Sequence, residues 1–104
     1  MTTKPKASEV NQSVIEGWKS QYDQVMKYVA GDGKVAYFKN PDMASLDAAS
    51  AIANTNPIKS NLILAKACFI GGDEEIISQD KYILGLSNHL KSMIVKIEGE
   101  LSTL

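Results

Sequence analysis

Arginine is missing from this chain of 104 residues, and other residues that carry chemistry are scarce: one cysteine, one histidine, one tryptophan, two phenylalanines and three prolines. Phosphate recognition favours the planar fork of a guanidinium and a positive field. Here 11 lysines are outweighed by 12 acids, for a net charge of −1, so nucleic acid is excluded as the expected partner. The charge is barely segregated, with six lysines against four acids in residues 1–41 and five against eight in 42–104. Neither half is a polycation or an acidic tail.

A lone thiol, Cys68, cannot close an internal disulfide, and no Cys/His cluster with zinc spacing accompanies it. The expectations are a reducing compartment, the cytoplasm, and no metal or other cofactor. A membrane span needs roughly 18 consecutive apolar residues. The longest apolar-rich run, Asn61 to Ile70, is interrupted by Lys66 and reads as a core helix. Met1 to Lys6 is polar and basic with no apolar stretch behind it, which predicts no secretory leader and no membrane partner.

What the chain does have is the composition of a small globular domain, 44% hydrophobic and 22% charged. Residues 1–15 read as a flexible lead and 16–104 as a single α+β domain. Val10, Val14, Trp18 and Tyr22 recur every four residues and predict an amphipathic helix capped by Ser8 or Ser13. Gly17 weakens that helix by about 1 kcal/mol relative to alanine and offers a later start. Gln24 to Ala30 and Lys34 to Lys39, rich in β-branched and aromatic residues around Gly31-Asp32-Gly33, predict a β-hairpin. Val25, Lys27 and Val29 share one face of the first strand, and Met26, Tyr28 and Ala30 the other. In the second strand Val35 and Tyr37 oppose Ala36 and Phe38.

Asn40-Pro41 and Asn56-Pro57 each join a capping residue to one suited to the first helical position, which predicts helices over about 41–54 and 57–69. Met43, Leu46, Ala49 and Ala53 form the buried face of the first, and Ile58, Leu62, Ala65 and Phe69 that of the second. Gly71-Gly72 stops the second helix, and Asp73-Glu74-Glu75 reads as a solvated acidic turn. From Ser78 a last helix carries Ile83, Leu86, Leu90, Met93, Ile97 and Leu101 at steps of three and four, with Leu84, Ile94 and Leu104 on its flanks. That stripe is suited to closing the core or to forming a seam with a second copy. The predicted architecture is α+β: an N-terminal helix, a β-hairpin, then three α-helices packed on one hairpin face.

The reactive side chains support little chemistry. Gly71-Gly72-Asp73-Glu74-Glu75 superficially matches a diguanylate cyclase signature, but it follows a helix in a chain too short for a nucleotidyl-cyclase domain. Its acids also miss the alternating spacing of a calcium loop. Gly31 to Lys34 opens a strand where a phosphate loop would open a helix. Cys68 and His89 are the thiol and imidazole from which a nucleophilic pair would have to be built, and no orienting third residue accompanies them. No catalytic residue is assigned.

The order of parts resembles small proteins of Bacteroidetes phages and prophages that look like tail assembly chaperones of long-tailed phages. The resemblance covers residues 16–104. It rests on Tyr37-Phe38-Lys39-Asn40-Pro41, joined some thirty residues later to Cys68-Phe69-Ile70-Gly71-Gly72-Asp73-Glu74-Glu75. It implies a non-enzymatic adaptor that binds the tape-measure or tail-tube protein during virion morphogenesis. Under that expectation the binding residues are Tyr28 and Phe38 on an open hairpin face, Tyr37 on the opposite face of the same hairpin, and Leu90 and Ile94 on the last helix. The alternatives are a structural virion protein, such as a head-tail connector or minor tail component, and a small enzyme using Cys68 and His89.

Overall fold

Two strands of five residues, β1 (Val25–Val29) and β2 (Val35–Lys39), meet in an unbroken antiparallel register from Val25 opposite Lys39 to Val29 opposite Val35. Ala30 and Lys34 close the loop, with the Ala30 N–H donating to the Lys34 carbonyl at 2.8 Å, and Gly33 takes the positive φ of 95° that such a three-residue turn requires. The computed structural model describes residues 4–93 and 99–104.

Before the hairpin stand a 3-10 turn (Ala7–Glu9) and α1 (Gln12–Gln21). The helix is capped by Asn11, whose Oδ1 accepts from the Val14 N–H at 3.0 Å. Ser8 lies in the 3-10 turn, so neither expected serine is the cap, and the helix begins inside the segment assigned to the lead. Gly17 sits in mid-helix with open space around it, so a side chain there meets nothing.

After the hairpin come α2 (Met43–Ile52) and α3 (Pro57–Cys68), joined as a helical hairpin. Asn56 caps α3 through Lys59 N–H at 3.1 Å, with Pro57 in the first position as the sequence predicts. The start of α2 lies two residues later than expected. Asp42 is its cap, accepting from Ser45 N–H at 2.8 Å, as a side-chain oxygen at that position does for an orphan amide of the first turn. Asn40 instead donates to the Gln24 side chain at 3.2 Å. Inside the helical pair the buried Ser60 hydroxyl donates to the Ala49 carbonyl at 2.7 Å.

The chain then forms a strand the sequence reading did not anticipate. Gly71-Gly72 does not merely stop a helix: Phe69–Gly72 is β3, antiparallel to β2, and the sheet order is β1-β2-β3. The register shifts between Tyr37 and Phe38, so Ile70 is an extra residue bulged out of the ladder. Gly72 has φ 114°, and a Cβ there would lie 2.4 Å from the Val35 carbonyl oxygen, closer than atoms can approach.

The expected last helix is broken into α4 (Glu75–Ser78), α5 (Asp80–Leu86) and a 3-10 segment (Ser87–Met93). The break is Gln79, extended at φ −111° and ψ 133°, whose N–H ends α4 on Glu75 and whose carbonyl receives the first amides of α5. Ser78 does not cap; its hydroxyl donates back to the Glu74 carbonyl at 3.0 Å. Ile94 and Ile97 of the predicted stripe lie outside the described residues.

The fold is therefore mixed α+β, with α2 to α5 on one face of the sheet and α1 on the other. The core face takes Ala30, Ala36 and Phe38 with Met26 and Tyr28, packed against Ala65, Cys68, Ile76, Ile83 and Leu86. Phe38 meets Phe69 edge-on, ring centroids 6.1 Å apart. On the opposite face Trp18 of α1 lies 5.4 Å from the Tyr37 ring. Met43 and Ile58, expected in the core, are 73% and 50% exposed. Both occupy first turns of helices.

Two glycines make opposite predictions. Gly17→Ala removes backbone entropy from an exposed helix without a clash and is expected to raise stability by about 0.5–1 kcal/mol. Gly72→Ala is expected to lower it by at least about 1–3 kcal/mol through strain and overlap with β2. Urea unfolding followed by circular dichroism measures both.

Candidate functional site

The acidic stretch after β3 is not a free turn, because it grips the hairpin. Asp73 continues the ladder past Gly72: its N–H donates to the Val35 carbonyl at 2.7 Å, and its Oδ2 accepts from the Val35 N–H at 2.9 Å. One residue thus satisfies both backbone groups at the start of β2. Two positions on, the Glu75 carboxylate pairs with the Lys34 ammonium at 3.3 Å. From α5 the Tyr82 hydroxyl donates to Asp32 Oδ2, while Asp32 Oδ1 accepts from the Lys34 N–H at 3.2 Å. The hairpin turn is therefore clasped by the segment that follows β3.

The titration of these groups reflects the clasp. The Tyr82 hydrogen bond, then the Lys34 N–H, hold the Asp32 carboxyl below its ordinary 3.8. The same bond to Asp32, with burial second, pushes the Tyr82 phenol up to about 12. The Glu75 carboxylate raises Lys34. Lys34 and Glu75 are roughly two-fifths exposed, at 41% and 42%, so solvent screens that pair. The clasp positions the turn more than it stabilises the whole.

The residues expected to bind a partner are placed unevenly. Phe38 is fully buried and Leu90 nearly so at 3%; both belong to the core. Tyr28 is half-buried on the same face, its ring 5.7 Å from that of His89. The face carrying Tyr28 and Phe38 is thus the one covered by helices, which corrects the expectation that it stands open. Tyr37 lies on the other face and is buried beside Trp18. Ile94 lies outside the described residues. The charges carry the missed signal: Lys27 and Lys39 both alternate onto the Tyr37 face, and lysine avoids a core. Nothing comparable announced Asp32, Asp73, Glu75 and Tyr82 as partners, since they come together only once β3 pairs with β2.

Cys68 is fully buried in the core, and burial pushes its thiol up to about 11. At neutral pH it is a protonated, apolar packing group. His89 is exposed at the surface. Among the described residues no group of three or more His, Cys, Asp or Glu side chains is arranged to hold a metal ion, and no helix is long and apolar enough to cross a membrane.

Two clefts stand out. One of about 530 Å³ runs between Lys6, Ala7 and Ser8 on one side and Gly72 to Glu75 on the other. A smaller one of about 240 Å³ lies between Tyr22 and Asp23 and the Asn40 to Asp42 segment. Neither is lined by the thiol or the imidazole.

Large apolar side chains are exposed elsewhere. Besides Met43 and Ile58, Val29 and Leu84 are more than half exposed, and Leu101 and Leu104 stand fully in solvent at 102% and 118%. Residues 99–104 form no regular structure. No family model matches this chain, and neither a curated protein nor a solved structure shows significant similarity to it.

The Asp32–Tyr82 bond has a defined pH signature. Because Asp32 is lowered, its contribution is present above 3.8 and is lost as pH falls through its depressed value. Because Tyr82 is raised, its contribution is present below 10.0 and is lost as pH climbs toward about 12. Tyr82→Phe is expected to lower stability at neutral pH and to flatten both the acid and alkaline limbs of a melting-temperature profile against pH.

Proposed function

We propose that this protein is a non-enzymatic, polypeptide-binding adaptor of the tail assembly chaperone type, acting on the tape-measure or tail-tube protein of a long-tailed phage in the host cytoplasm. The observation that carries this reading is the contrast between an inert interior and an apolar exterior. The one thiol is buried and protonated, while Leu101 and Leu104 contribute nothing to the core and stand fully exposed.

A chaperone of this kind holds a long, partly hydrophobic helix in solution and must release it. Exposed aliphatic side chains meet that demand by burying apolar area on binding, at roughly 25 cal/mol per Å² before the costs of association. The resemblance in Tyr37 to Pro41 and Cys68 to Glu75 supplies the class of partner. In this fold those segments form β2, β3 and the clasp. The resemblance therefore lies in the framework, and the binding surface is sought among the exposed residues. Leu101 and Leu104 replace Phe38 and Leu90 as the side chains assigned to contact.

Co-expression with the tape-measure protein, and separately the tail-tube protein, of a long-tailed Bacteroidetes phage, followed by affinity capture, tests the proposal. The tape-measure chain is expected to become soluble and to co-purify. Leu101→Asp with Leu104→Asp is expected to weaken capture at least about tenfold. Cys68→Ala and His89→Gln, checked for folding, are expected to leave capture unchanged. Failure of the wild-type protein to bind either tail protein would overturn the reading.

A further inference from the structure

The two outer edges of the sheet are protected by different means. On β1 the centre of the edge strand is Lys27, exposed and charged, which discourages a second sheet from pairing there. On the other side, β3 reads Phe69-Ile70-Gly71-Gly72 and carries no charge. An uncharged, apolar edge is open to pairing with another copy unless something covers it.

The N-terminal segment covers it. The Gly72 N–H donates outward to the Pro5 carbonyl at 2.9 Å. The Pro5 ring and the Trp18 indole rest on the bare face of Gly71, where a Cβ would lie 3.1 Å from Pro5 Cγ and 2.9 Å from Trp18 Cη2. The Lys4 ammonium stands 5.5 Å from the centroid of the Phe69 ring. Behind these contacts the segment is held mainly by itself: Lys6 N–H donates to the Glu9 carboxylate at 2.9 Å, and no residue of Ala7–Glu9 is buried. Segments with few buried contacts and solvent-exposed hydrogen bonds open at a small fraction of the global unfolding free energy.

We propose that residues 4–10 are a detachable strap that protects the β3 edge, opening without unfolding of the sheet and, when open, allowing β3 of one copy to pair with β3 of a second. The second copy is the occupant because the strand has no like charge to keep two such edges apart, whereas two β1 edges would set Lys27 against Lys27. The inference does not depend on the binding role assigned to Leu101 and Leu104.

Adjacent amides provide the test in the intact chain. Gly72 N–H points outward to the strap, and Asp73 N–H points inward to Val35 at 2.7 Å. Global unfolding exposes both; lifting the strap exposes only the first. Native-state hydrogen exchange, corrected for intrinsic rates, is expected to be about 100-fold faster at Gly72 than at Asp73. Pro5→Ala keeps the carbonyl and removes the ring. It is expected to speed Gly72 exchange about tenfold, leave Asp73 unchanged, and strengthen self-association about tenfold in sedimentation velocity. Equal protection of the two amides would overturn the proposal. So would a Pro5→Ala chain with unaltered Gly72 exchange, or one whose faster exchange brings no added self-association.

Discussion

Pairing of β3 with β2 is the constraint on which the rest of the molecule depends. β1 and β2 are neighbours in sequence and need only a three-residue turn to meet, but a two-stranded ribbon is marginal in water. β3 arrives after α2 and α3, some thirty residues later, and its arrival places Phe69 against Phe38 and the end of α3 beneath the sheet. It also gives Trp18 a flat place to rest on the opposite face, at Gly71. Both helical layers are thus anchored to the same short ladder. The glycines are what make the ladder possible, because a side chain at Gly72 would occupy the position of the Val35 carbonyl.

The acidic residues beyond β3 extend this logic. Asp73 behaves as one more rung, satisfying both backbone groups of Val35 without being a regular strand residue. Glu75 and Tyr82 then reach the turn itself through Lys34 and Asp32. Each of these contacts is polar and partly solvated, so each contributes modestly to stability. Their joint effect is geometric: they fix the hairpin's tip against α4 and α5, which closes the core over Ile76 and Ile83. Residues that look like a catalytic or metal-binding signature in sequence therefore spend their charge on backbone amides and a lysine.

Much of this was legible in the sequence, for identifiable reasons. The hairpin announced itself by alternation and an Asp-Gly turn, and α3 by Asn56-Pro57. Both signals are local, and the structure realises them nearly to the residue. What was not legible depends on distant partners. Gly71-Gly72 carries the same local message whether it ends a helix or lets β3 approach β2. The break at Gln79 leaves the spacing of Ile83, Leu86 and Leu90 intact, so periodicity alone reads through it. Both hairpin faces bear apolar groups, so the choice of the Phe38 face as the interior was carried by the lysines on the other. The exposed side chains of Met43 and Ile58 show the same limit, since a helical stripe marks a face without marking which turns of it a neighbour covers.

The position of Cys68 has a practical corollary. A single thiol sealed inside the core, with its proton held until about pH 11, is shielded from air oxidation and from crosslinking to another molecule for as long as the domain stays closed. Alkylating reagents then meet it only during excursions to an open form, and their rate of incorporation becomes a clock for those excursions. The protein thereby contains a built-in reporter of how often its interior is breached, read without added denaturant and without any change to its sequence.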